Sequence, residues 1–217
     1  MKNCNTKKHQ TTPGVRLVAS VVALGITFTV ALASAAQVDS VTPPPVPTDI
    51  QVEAGNEAFL VGHAIGTQNY VCLPSPSIGH VNWTLFTPEA TLFDEEGEQL
   101  ITHFFGPNPH EDEIVRVVWQ DSRDTSIVWG RAIASSTDRD FVSTGAIPWL
   151  LVEVVDGQAG PTGGENISKS TFIQRLNTFG GVAPSTGCDR PKDIGKTAFV
   201  PYSADYFFFR KATGNAP

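Results

Sequence analysis

The chain is predicted to fold as an all-β domain, an antiparallel β-barrel or β-sandwich of roughly 8–11 short strands with one disulfide. Three observations lead there. Short segments rich in Val, Ile, Phe, Trp and Thr, which suit a pleated surface, recur from Phe59 onward. Turn-forming stretches separate them: Asp94-Glu95-Glu96-Gly97, Ser122-Arg123-Asp124-Thr125 and Asp156-Gly157 each suit a hairpin. Two cysteines, Cys72 and Cys188, lie far apart among these segments.

Residues 1–35 have the form of a secretory signal peptide. Lys2, Lys7, Lys8 and Arg16 precede an apolar stretch, Leu17 to Ala33, and Ala33-Ser34-Ala35 offers small residues to a peptidase. The alternative is a retained membrane anchor, since the apolar stretch is nearly long enough to span. Cleavage would leave 182 residues (217 − 35), with 11 Lys and Arg against 22 Asp and Glu. That acidic balance argues against nucleic acid and against anionic lipid as partners. No membrane association is expected once the leader is removed. Residues 36–49, including the run VTPPPVP at 41–47, read as a Pro-rich spacer. Residues 50–211 form the β domain, and residues 212–217 a flexible tail.

The strand candidates, in order, are Phe59–Ile65, Asn69–Leu73, Val81–Phe86, Ala90–Phe93, Gln99–Phe105, Ile114–Gln120, Ile127–Ala134, Trp149–Val155, Phe172–Asn177, Thr197–Val200 and Tyr206–Arg210. Ser168 to Phe179 also fits helical spacing. Strand is favoured there because Thr171, Phe172, Ile173 and Thr178 are weak helix formers. The glycine-rich stretch 157–164 is either a lid or a long turn.

Cys4 departs with the leader, so Cys72 and Cys188 can pair only with each other in an oxidising compartment. The bridge would close 116 residues (188 − 72). Two separate buried thiols are the alternative. No C-x-x-C or His-Cys spacing points to a metal, and no cofactor fingerprint occurs.

Alternation places Gln68, Tyr70 and Cys72 on one face of a strand, and Ile173, Arg175 and Asn177 on one face of another. If the bridge brings these phrases together, Gln68, Tyr70, Arg175 and Asn177 converge as a candidate ligand site, Arg175 holding an anionic group. A purely structural polar network is the competing reading. His103 and Tyr70 are the candidate acid/base residues, with His63 a weaker one. Tyr202, Asp205 and Tyr206 with Trp83, Trp119, Trp129 and Trp149 could supply aromatic platforms. No nucleophile elbow or phosphate-cradling loop occurs.

Seven phrases also carry a family resemblance: GTQNYVC (66–72), WTLFTPEATLFD (83–94), THFFGP (102–107), SIVWG (126–130), AIPWLLVEV (146–154), FIQRLNTFGGVAPSTGC (172–188) and VPYSADYFFFR (200–210). On these the chain resembles the secreted bacterial and fungal proteins grouped as domain of unknown function 3455. The resemblance implies export and transfers no catalytic residue. Some members bear enzyme names such as malate dehydrogenase, but the nucleotide-binding fingerprint that name requires is missing here. The function expected is a secreted, periplasmic or extracellular binding module for a small polar molecule or carbohydrate. The alternatives are a cofactor-free enzyme with an acid/base pocket and an envelope structural protein.

Overall fold

The computed structural model of the chain describes residues 41–77 and 79–213. The expected signal peptide, the first residues of the spacer and the end of the tail lie outside them. Eight strands follow in order: β1 (Asn56–Pro74), β2 (Val81–Phe93), β3 (Gln99–Asn108), β4 (Ile114–Asp121), β5 (Ile127–Ser136), β6 (Trp149–Gln158), β7 (Phe172–Gly180) and β8 (Thr197–Lys211). Each pairs antiparallel with the next, and β8 pairs with β1, so the sheet is a closed barrel. Closure leaves no free sheet edge. The barrel form of the expectation is the one found, and Ser168 to Phe179 contains strand, as favoured.

The eleven candidate segments become eight strands because three pairs of neighbours fuse. Gly66-Thr67-Gln68 continues β1, Thr87-Pro88-Glu89 continues β2, and Pro201 to Asp205 continues β8. Pro88 is tolerated in mid-strand because the β2–β3 ladder begins only at Ala90, so no partner is denied an N–H.

Strands β6 to β8 are apolar on both faces, and each face has a cover. Inside the barrel, Leu150 and Val152 of β6, Ile173 of β7 and Tyr206 and Phe208 of β8 join Trp119 and Ile101 in the main core. Outside, Trp149, Leu151, Phe172, Leu176, Phe207 and Phe209 form a second cluster around Ile50 and Val142. Val41 and Val46 pack against that cluster as well, so residues 41–50 are a strap on the barrel wall rather than a free spacer. Gln174, on the outer face of β7, fixes the strap by donating from Nε2 to the Ile50 carbonyl at 2.7 Å. Fully burying a side chain such as Ile50 contributes about 1.5–3 kcal/mol.

The two ends of the barrel differ. At the end of the β2–β3, β4–β5 and β6–β7 connections, Ile167 is fully buried in the main core and closes the lumen. Its loop is held by the β4–β5 turn, where Asp124 accepts from the Asn166 amide and from Ser126. The stretch 157–164 therefore belongs to the closed end and is a packed turn, not a lid. At the opposite end, Cys72 and Cys188 are bridged, with Cα atoms 5.5 Å apart. The bridge, backbone bonds between Cys72 and Lys196 and Gly195, and the Trp83 Nε1 bond to the Thr186 carbonyl tie the β7–β8 connection to β1 and β2.

Among the described residues no helix is long and apolar enough to cross a membrane.

Candidate functional site

At the disulfide end the lumen widens into a cavity of about 170 Å³. All eight strands contribute to its wall: Gln68 from β1, Leu85 and Pro88 from β2, His103 from β3, Trp119 from β4, Ala132 from β5, Leu150 from β6, Arg175 from β7 and Tyr206 from β8 are among the residues lining it. Strand register explains the grouping. His103 pairs with Trp119 across β3–β4, and Arg175 lies between Leu150 and Tyr206 across β6–β7–β8. Gly130 lets Val152 and the Trp119 ring pack close beneath the cavity. At Gly130 an added Cβ would come within 2.5 Å of Val152 and 3.0 Å of the Trp119 ring.

The floor is an aromatic stack. The His103 ring lies on Trp119 with centroids 4.5 Å apart and planes 16° from parallel, and Tyr206 sits 5.1 Å from His103. His103 Nδ1 is 2.8 Å from the Val118 carbonyl oxygen, which can only accept, so Nδ1 carries the proton and Nε2 keeps a lone pair. Complete burial drives the His103 pKa down to about 3, against the opposing bond to Val118, and the Arg175 charge pushes the same way. His103 is therefore neutral at ordinary pH, an acceptor rather than a proton carrier. Burial raises the phenols of Tyr202 and Tyr206, whose hydroxyls are 3.2 Å apart, and both stay neutral.

Arg175 is then the single formal charge on the cavity wall. It is 9% exposed and donates from Nη2 to the Pro148 carbonyl at 2.8 Å. No ion pair among the described residues includes it. Its Nε is buried without a hydrogen-bond partner, and so are Gln68 Nε2 and Trp119 Nε1.

Of the four residues expected to converge, Gln68 and Arg175 line the cavity, and His103, singled out separately, joins them. Tyr70 does not line it. It lies close enough for the Arg175 charge to lower its phenol against the larger effect of burial, but its hydroxyl is committed to the Gly181 carbonyl at 2.7 Å. β1 keeps a regular register with β8 through Gln68, Asn69 and Tyr70, and the extra residue of the β1–β2 bulge is Phe86 on β2, so it is the bond to Gly181 and not a change of face that takes Tyr70 from the cavity.

Asn177 is a correction: it faces the outer wall. The β7–β8 register slips between Leu176 and Phe179, and Asn177 adopts a left-handed φ of 51°. Alternation fails across such a bulge. Its amide donates instead to Asp205 at 2.7 Å. There Asp205 and Glu95 bracket His63, at 2.7 and 3.1 Å. Partial burial lowers the His63 pKa, but the two carboxylates outweigh it and the net shift is upward.

Trp119 and Tyr206 are the two platform candidates that reach the cavity. Trp149 belongs to the outer cluster, and the indole of Trp129 donates to the Pro107 carbonyl. The sequence marks the apolar wall residues Leu85, Leu150 and Val152 only as strand positions. The pairing of Trp119 with His103 becomes visible only once the β3–β4 register is known.

A protein-family model, described as "Protein of unknown function (DUF3455)", matches residues 53–210. No curated protein and no solved structure matches the chain.

Proposed function

We propose that this chain, which belongs to the family described as "Protein of unknown function (DUF3455)", is an exported barrel that holds one small organic molecule in its open end. The observation that carries the reading is the cavity of about 170 Å³, to which all eight strands contribute. An apolar cavity of about 150 Å³ is enough to hold benzene. The wall is mostly apolar, with Gln68, His103 and Arg175, the Trp119 N–H and the Tyr206 hydroxyl as its polar groups. That composition is typical of small-molecule sites, where a few polar groups set orientation. It favours a compact, largely apolar ligand with one polar group over a glycan, whose many hydroxyls would each need a partner. The neutral state of His103 favours a binding role over acid/base catalysis near pH 7. Export draws support from the bridged Cys72–Cys188 pair, since disulfides persist in oxidising compartments.

The test is a thermal-shift screen of benzene-sized neutral and charged molecules, with sugars alongside, on the wild type and on Ala132→Trp, which fills the cavity mouth. A ligand at a hundredfold excess over Kd adds about 2.7 kcal/mol. For a domain of this size that raises Tm by roughly 5–10 °C. The expected result is such a rise in the wild type and none in Ala132→Trp. No response to any compound, or an equal response in both proteins, would overturn the proposal.

A further inference from the structure

We infer that the cavity's ligand is a small organic carboxylate, its oxygens taken by Gln68, Trp119 and Arg175 and its apolar body seated against the barrel wall. This rests on the cavity reading above and adds the charge of the ligand to it.

The chemistry of the unpartnered atoms is one-sided. Gln68 Nε2, Trp119 Nε1 and Arg175 Nε are all N–H donors on residues lining the one cavity, all buried and none with a hydrogen bond of good geometry; the Tyr202 and Tyr206 hydroxyls lie near Gln68 and Arg175 but are neutral and leave the charge unpaired. Buried donors are almost always satisfied, so three unsatisfied ones at a single place mark a missing acceptor. Water could serve a donor but cannot offset the charge.

The charge is equally one-sided. A guanidinium cannot be deprotonated in a protein. Burying a charge is costly unless it is paired. Around Arg175 the two tyrosines and the histidine are neutral, and no carboxylate among the described residues reaches it. A monoanion brings the site to neutrality, whereas a dianion such as a phosphate ester would leave one charge uncompensated. A planar carboxylate offers two acceptor oxygens for three donors spread over three side chains, and charge-assisted bonds of this kind are about twice as strong as neutral ones. Leu85, Leu150 and Val152 then face whatever the carboxylate is attached to.

The experiment is calorimetric titration of the full chain with benzoate, its neutral isostere benzamide, and acetate. In the wild type benzoate should bind at least tenfold more tightly than benzamide and than acetate. In Arg175→Met, which keeps the volume and drops the charge, the preference over benzamide should vanish. Removing an unpaired buried charge should also raise Tm, which reports folding independently. Should that variant not fold, Trp119→Phe keeps an aromatic ring, though a smaller one, and removes the N–H: benzoate should weaken severalfold more than benzamide, which feels the same loss of volume. Benzamide binding as tightly as benzoate would overturn the carboxylate and leave the cavity reading intact. Acetate as tight as benzoate would overturn the apolar half of the inference. No binding by any of the three would overturn both readings.

Discussion

His103 ties the site to the stability of the molecule. In the unfolded chain its imidazole takes a proton below about pH 6.5, while in the barrel it does so only near pH 3. Between those values the unfolded state binds more protons, so stability falls as pH falls through that window. Each unit of displacement corresponds to about 1.4 kcal/mol, so the loss approaches several kcal/mol toward its acid end. Urea denaturation at pH 7 and pH 4 should show a larger drop for the wild type than for His103→Phe, which keeps a ring on Trp119 and cannot titrate. Equal drops would show that the imidazole is not held neutral by the fold. The residue scale is also where the sequence was least informative. His103 stands among apolar neighbours in Ile101-Thr102-His103-Phe104-Phe105, but its stack and tautomer depend on Trp119 and Val118 across a hairpin. The sequence shows Arg175 as a cation, but its isolation from carboxylates is a property of the packed lumen.

The strands were legible because their composition and their turn signals are local. What stayed hidden were the irregularities. Gly66 to Gln68, Pro88 and Pro201 read as breaks, yet each lies within a long strand. The bulge after Leu176 turns Asn177 from the cavity and the Gly181 carbonyl takes the Tyr70 hydroxyl, and nothing in the alternation of residue types announces either. The loop 157–164 was ambiguous for a related reason: glycine reads as flexibility, whereas here it serves close approach. A Cβ on Gly160 would collide with the Asp124 carbonyl oxygen. Gly160→Ala should therefore cost about 1–3 kcal/mol, as overpacking does. Chemical denaturation checks this. Because the change lies at the closed end, ligand affinity at the other end should be unchanged.

At the scale of the molecule, the bridge from Cys72 to Cys188 spans 116 residues. Constraining the unfolded chain over such a loop is worth about 4–5 kcal/mol on the chain-entropy model, and native bridges typically contribute 2–5 kcal/mol. The Cys72→Ser, Cys188→Ser double variant should lose stability in that range. Its β7–β8 connection should also exchange amide hydrogens faster than Ile167 and the closed end, since the bridge holds that connection to β1. A uniform increase in exchange would mean the bridge acts only on the unfolded chain. The closing pair of the barrel is its first strand and its last. During synthesis, β1 emerges long before β8, the strand that will lie beside it. Until Tyr206 to Phe209 arrive, both β1 and β7 present bare edges, and the lumen has no complete wall. The barrel is thus assembled only after the last strand is made, by long-range pairing that is intrinsically slow. The partly built sheet is the form of this chain most exposed to aggregation and most in need of a chaperone.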